Sequence, residues 1–185
     1  MSEIDPKTLS ILQSPAVFAV SQDSSTSSAV RRWRYYVDDV DEYGKGEIQL
    51  YTGSLSGNDK LVLFLNSGTK EREMNATLTD IFWSDGPEGT ADQVRQGWDI
   101  YDLWANRMSN ETAAGIIGGN MTSPYNMTEK GGAAKVYSDP LPSSSKELMG
   151  SKVGSVPPHG TVTANVKPHG VAILRLRAQD RKDEL

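Results

Sequence analysis

The chain has 185 residues, a formal net charge of −5, no cysteine and two histidines. That length allows one domain, or two small ones, with a real hydrophobic core. The missing cysteines exclude disulfides, zinc–thiolate sites and thiol nucleophiles, and the acidic balance without a long basic run excludes phosphate-backbone binding as the leading function.

The first segment changes character quickly. Asp5-Pro6 suits a helix start, with aspartate as cap and proline in the first turn. "KTLSILQ" then places Leu9, Ile11 and Leu12 on one apolar side, and Ser14-Pro15 stops the helix. The run "AVFAV" over residues 16–20 predicts a short strand buried on both faces. One helix and one strand make the end of an α/β domain, not a whole one.

After the polar "SQDSSTSSA" the rhythm becomes that of short strands. "VRRWRYYV" is strand-like, with Arg31, Arg32 and Arg34 as its solvent face. "DDVDEYGKG" is a turn. "EIQLYTG", "LSGND" and "KLVLFLNS" read as strand, turn and strand. "MNATLTDIFW" alternates, with Met74, Ala76, Leu78 and Asp80 opposite Asn75, Thr77, Thr79 and Ile81. "SDGPEGTAD" is a loop and "GWDIYDLW" a strand. Near the end, "TVTANV" and "VAILRLR", joined by "KPHG", predict a hairpin. Short strands between turns, with almost no helix, predict an antiparallel β-sandwich or barrel. From about residue 109 to 158 the chain is rich in Gly, Ser, Pro and Asn. This predicts a long insertion with some strand character around "AAKVYS".

No pair of groups stands out as catalytic. Asp38, Asp39, Asp41 and Glu42 form an acidic turn without the spacing of a calcium loop. Asp80, Asp85, Asp99 and Asp102 sit at loop and strand ends. His159 and His169 each lie in a Pro-His-Gly turn, away from any nucleophile elbow. Trp33, Trp83, Trp98 and Trp104 could stack on sugar rings, but tryptophans at strand positions more often build the core. The chain itself is expected to hold no catalytic residue, no metal and no cofactor; substrate-binding residues are not identifiable. No apolar run has the length of a membrane span.

Two other signals point to the secretory pathway. Four Asn-x-Ser/Thr sequons mark Asn75, Asn110, Asn120 and Asn126 as glycosylation candidates, three of them packed between Asn110 and Thr128. The last four residues, Lys182, Asp183, Glu184 and Leu185, spell an endoplasmic-reticulum retrieval address, whose reader would be a retrieval receptor. The first twenty residues do not form a signal peptide.

Specific residues then match a family. "IDPKTLSILQSPAVFAVSQD", Ile4 to Asp23, resembles the end of the barrel in melibiase-type α-galactosidases, glycoside hydrolase family 27. "YTGSLSGNDKLVLFLNSG" is similar to the family's strand–turn–strand, "LTDIFW" and "IYDLWANRMS" to the segment that follows, and "VKPHGVAILRL" to its closing strand. The matches run in order over nearly the whole chain outside the insertion, and the fungal members are the most alike. "SSTSS" after Asp23 departs from the family's "PLG".

The resemblance implies a (β/α)₈ barrel followed by an antiparallel β-sandwich. It implies residues 1–28 as a remnant of the barrel (its last helix and strand), 29–178 as the sandwich with a glycosylatable insertion at about 109–158, and 179–185 as the tail. The family removes terminal α-galactose by a retaining mechanism that uses two barrel aspartates. Neither has a counterpart here, so the chain alone is expected to be inactive. The parent's signal peptide and barrel would lie upstream of Met1, which would then be an internal methionine or a mistaken start. The α-galactoside would be a partner only through that barrel, with no role for nucleic acid or membrane. A stand-alone carbohydrate-binding or interaction module is the competing reading.

Overall fold

The computed structural model describes residues 4–23, 29–44, 46–83, 92–105, 107, 109–119 and 146–179. They fall into two compact units: Met1–Gln22 with Leu103–Ser151, and Asp23–Asp102 with Lys152–Leu185.

The first unit is helical. Helix α1 (Pro6–Leu12) begins as the sequence suggests. Asp5 is extended, and its carboxylate accepts the Thr8 N–H at 3.0 Å, with Pro6 in the first turn. Its buried residue is Ser10, whereas Leu12 is half exposed, so the apolar side read from Leu9, Ile11 and Leu12 is not the buried one. The strand expected at residues 16–20 is instead helix α2 (Pro15–Ser21). Pro15 at the first helical position has no N–H to leave unpaired and a φ already suited to a helix. A doubly buried strand needs neighbours on both edges, and the described elements that pack on this segment are helices. The sequence's helix–strand remnant is thus a helix pair. Helices α4 (Asn110–Ile117) and α5 (Lys146–Met149) complete the unit, α4 packing on α1 and α5 on α2.

The second unit is the expected antiparallel β-sandwich. Strands β1 (Val30–Tyr36), β2 (Glu47–Ser54), β3 (Lys60–Asn66), β5 (Trp98–Asp102), β6 (Ser151–Val156) and β8 (Gly170–Ala178) form one sheet, in the order β1-β2-β3-β8-β5-β6; β4 (Arg72–Thr77) and β7 (Thr161–Val166) form the other. The β2–β3 hairpin turns over Ser56–Asn58, where Gly57 and Asn58 both take positive φ. These are the two residue types that reach that conformation at least cost. Leu50, Val62, Phe64, Leu174 and Leu176 of the large sheet meet Met74, Ala76, Val162 and Val166 of the small one in a single core. On the other face of the large sheet, Leu63 and Leu65 pair in register with Ile173 and Val171, and these side chains are only partly buried.

Two further expectations are corrected. The alternation through "MNATLTDIFW" ends at Thr77, and Leu78–Phe82 form helix α3. A capping box decides it: the Thr77 hydroxyl accepts the Asp80 N–H while the Asp80 carboxylate accepts the Thr77 N–H. Leu78, Ile81 and Phe82 then reach the core at helical spacing.

Strands β7 and β8 are not a hairpin either. β7 pairs with β4, and β8 pairs with β3 and β5, so the "KPHG" turn carries the chain from one sheet to the other. The buried Asn66 side chain pins that arch by donating to the Val166 and Lys167 carbonyls at 3.1 and 3.3 Å. The other Pro-His-Gly turn does the same between β6 and β7. Both histidines have positive φ, 57° for His159 and 49° for His169. A Cβ at Gly160 or Gly170 would stand 2.7 or 2.8 Å from a backbone carbonyl oxygen.

The stretch read as an insertion is partly regular, with α4 and α5 inside it and residues 151–156 in the large sheet. "AAKVYS" lies outside the described residues.

Candidate functional site

Strand β1 is an edge of the large sheet and carries a bulge. Arg31 pairs with Tyr51 and Trp33 with Leu50, which leaves Arg32 as the extra residue. Downstream of it, Trp33 and Tyr35 share the face of their partners Leu50 and Ile48. Trp33 leans on the core, its ring 6.5 Å from that of Phe64 and 5.3 Å from that of Tyr35. The alternate residues Arg34 and Tyr36 pair with each other, the guanidinium 5.1 Å from the ring centre. Arg32 donates to the Thr52 hydroxyl. Arg32 and Arg34 are therefore bound into their own strand pair, while Arg31 is exposed.

Beside this aromatic pair runs a groove of 240 Å³, lined by Trp33, Tyr35, Ile48, Glu73, Met74, Asn75 and Asp80. One wall is apolar rings. The other is β4 and the start of α3, bearing two carboxylates and an amide. Asp80 uses one carboxylate oxygen to hold the Thr77 N–H and hydroxyl, at 3.0 and 2.7 Å. Glu73 and Asn75, two residues apart on β4, are exposed. A ring with an apolar face and polar edges suits such a surface.

Three of the other carboxylates singled out from sequence are structural, Asp39, Asp41 and Asp99. Asp39 is not a solvated turn residue: its side chain is 5% exposed, accepts the Lys70 N–H at 2.9 Å and is ion-paired with Arg72. Asp41 accepts the Tyr43 N–H at 3.0 Å. Asp99 accepts from Lys152 at 2.6 Å and from Gln179 at 2.8 Å. Burial alone raises the Asp99 carboxyl, but these hydrogen bonds overcome it and hold the group below the ordinary carboxylate range. Asp38 and Glu42 are exposed, Asp102 is partly buried, and Asp85 lies outside the described residues. No group of three metal-ligating side chains occurs among the described residues.

Sequence reading missed the most buried carboxylate among the described residues. Asp59 is 1% exposed, accepts from Arg175 at 2.6 Å and Arg177 at 2.8 Å, and sits just before β3 opposite β8. Two arginines at alternate positions in an otherwise apolar strand were the available signal. Asp23, just after α2, accepts the Ser56 N–H and hydroxyl at the tip of the β2–β3 hairpin.

Of the tryptophans, Trp98 is core: fully buried, 4.8 Å from the Phe82 ring, its indole N–H donating to the Gln93 carbonyl. Trp83 is 75% exposed. Trp104 lies under the Arg107 guanidinium. Among the sequons, Asn75 is exposed on β4 and Asn110 is exposed at the start of α4. Asn120, Asn126 and the Lys182–Leu185 tail lie outside the described residues.

The family model described as the alpha galactosidase C-terminal beta sandwich domain matches residues 45–124. Alpha-galactosidase 2 of Saccharomyces cerevisiae is 42% identical over 180 residues, which are 96% of this chain and 37% of that protein. Over most of its length the chain is similar to the C-terminal part of yeast α-galactosidases. Alpha-galactosidase of Torulaspora delbrueckii is 40% identical over 182 residues, covering 97% of this chain and 37% of its own length. In three dimensions the chain is similar to the Saccharomyces cerevisiae alpha-galactosidase solved with raffinose. The TM-score is 0.83 at 41% identity, over 95% of this chain and 38% of that one. Alpha-galactosidase I of Mortierella vinacea shares the fold, with a TM-score of 0.54 at 23% identity, over 94% of this chain and 29% of its own. The chain spans about 37% of the length of the curated relatives it matches.

Proposed function

We propose that this chain is the C-terminal region of an α-galactosidase, a glycosidase that removes terminal α-galactose from oligosaccharides. The observation that carries the reading is the extent of the likeness: 96% of this chain matches, against only 37% of the relative. In this reading the two catalytic aspartates of the retaining mechanism lie on an upstream barrel, and the chain alone does not hydrolyse galactosides. The sandwich supports the barrel. The partly buried leucines on the second face of the large sheet favour this, since an antiparallel sheet facing water normally alternates to polar residues there. So do the exposed Ile4, Leu12 and Phe18 of the helical segment.

Residues 1–28 would close the barrel, 29–178 would hold the sandwich, with the 109–158 stretch contributing α4, α5 and β6, and 179–185 would be the tail. The four sequons and the C-terminal Lys182–Leu185 support passage through the secretory pathway, with glycans on Asn75, Asn110, Asn120 and Asn126 and a retrieval receptor reading the tail.

The test is a chimera. The matching C-terminal part of the Saccharomyces cerevisiae enzyme is replaced by this chain, and hydrolysis of a chromogenic α-galactoside is measured. The expected result is hydrolysis by the chimera and none by the chain alone. A soluble, folded chimera no more active than the barrel without a C-terminal part would overturn the reading.

A further inference from the structure

The groove beside β1 and the sequon on β4 are one feature: Asn75 is both the acceptor residue of Asn75-Ala-Thr77 and part of the groove's lining. We propose that Asn75 carries an N-linked glycan whose first N-acetylglucosamine lies in this groove, its C–H face against Trp33 and Tyr35 and its polar edge toward Glu73 and Asp80. The inference rests on the secretory reading above and goes further, by giving the groove an occupant and the glycan a seat.

The chemistry of the two walls matches the two faces of a pyranose. Tyr35 is 59% exposed although it sits two residues from a tryptophan that joins the core. A sugar over it removes apolar ring surface from water. Glu73 offers acceptors for hydroxyl and acetamide N–H groups, and Asp80 offers its second carboxylate oxygen. The occupant is tethered to the lip, so it pays little of the entropy that a free sugar loses on binding.

The order of events follows from the fold. The Asn75 amide nitrogen forms a bond to the anomeric carbon of a lipid pyrophosphate-linked oligosaccharide. The bond from that carbon to the pyrophosphate oxygen breaks, the lipid pyrophosphate leaves with the electron pair, and the amide loses one proton. In the folded chain the Thr77 hydroxyl of the sequon is held in the α3 cap by Asp80, and Asn75 is paired with Thr163 in β4–β7. Transfer therefore precedes closure of β4 and α3, and the sugar is in place when the groove forms.

The test uses the full chain secreted from yeast behind a cleavable leader. Glycopeptide mass spectrometry is expected to find Asn75 occupied; an unoccupied Asn75 overturns the proposal together with the glycosylation reading at this site. After trimming to a single N-acetylglucosamine, a nuclear Overhauser contact between the acetyl methyl and the Trp33 or Tyr35 ring is expected. A double-mutant cycle gives the energetic readout. Tyr35→Ser should lower the melting midpoint of the glycosylated chain by about 2–4 °C, and should lower it much less in the Asn75→Gln background. If Asn75 is occupied but the two changes are additive and no contact is seen, the glycan points away and the seat is wrong, while the glycosylation reading stands. Saturable binding of a free galactoside to the glycosylated chain, lost in Tyr35→Ser, would show an open groove and also overturn the proposal.

Discussion

The two units of this chain are opposite in what they bury. The β unit hides large apolar side chains, Trp98, Phe64, Phe82 and Leu50 among them, and holds its buried Asp59 between Arg175 and Arg177. The helical unit buries Leu103 and Met149 but otherwise small or polar side chains, Ser10, Ser14, Ala16 and Ala113 among them, and leaves Ile4, Leu12, Phe18 and Ile117 exposed, while the Ser14 hydroxyl is buried without a partner. So few large buried side chains contribute little apolar burial, and an unsatisfied buried hydroxyl costs free energy. The contrast teaches that the β unit draws its stability from a large apolar core, and it agrees with the proposal that the helical unit packs against more of a longer protein.

That contrast can be broken or sharpened in five ways, taken from the largest expected effect. Asp59→Ala strands the buried Arg175 charge and should cost about 3–5 kcal/mol in urea unfolding followed by tryptophan fluorescence. A loss near zero would mean that the β unit does not depend on its buried charges. Leu174→Ala opens a cavity beneath the large sheet and should cost about 2–5 kcal/mol by the same measurement. Thr77→Ala removes the α3 capping box and should cost about 0.5–2 kcal/mol, with the Trp98 environment changing because Phe82 leaves its ring.

Phe18→Ser in α2 is the counterpart. It should stay within about 0.5 kcal/mol in the isolated chain and improve solubility, yet lower activity in the chimera. A large destabilisation of the isolated chain would show that α2 already has its partner.

The smallest effect is electrostatic. Asp99's folded-state pKa lies below its ordinary value of about 3.9, so its contribution is complete above that value and fades as the pH falls through the folded one. Lys152's pKa is raised, chiefly by its hydrogen bond to Asp99, so its contribution is complete below about pH 10.4 and is lost as the pH rises through the folded value. The stability difference between the wild-type chain and Lys152→Met, followed by thermal melts across pH, should therefore close at both ends.

Much of the β unit was legible because its strands alternate and its turns carry Gly, Asn and Pro. "EIQLYTG" and "KLVLFLNS" became β2 and β3, and the Asp5-Pro6 helix start was read correctly. The failures share a cause. Periodicity over five or six residues does not separate a strand from a short helix, so "AVFAV" and "LTDIFW" were read as strands. Pro15 and the Thr77–Asp80 box decided for helix. The false hairpin at "KPHG" was beyond local pattern, because only the pairing of β7 with β4 sends the chain across the sandwich. For the site, Trp33 and Asn75 were noted separately, on grounds of stacking and of glycosylation. What joins them is the register of two strands in different sheets, together with a bulge at Arg32 that alternation does not reveal. Asp59 escaped because its partners lie more than a hundred residues away.

The most direct measurement is native-state hydrogen exchange on the isolated chain. The expected result is slow, cooperative exchange in β3, β8 and β7 and fast exchange through α1 and α2, with the two helices gaining protection only in the chimera. Equal protection of α1, α2 and the central strands in the isolated chain would contradict the claim that the helical unit is an unfinished piece of a larger protein.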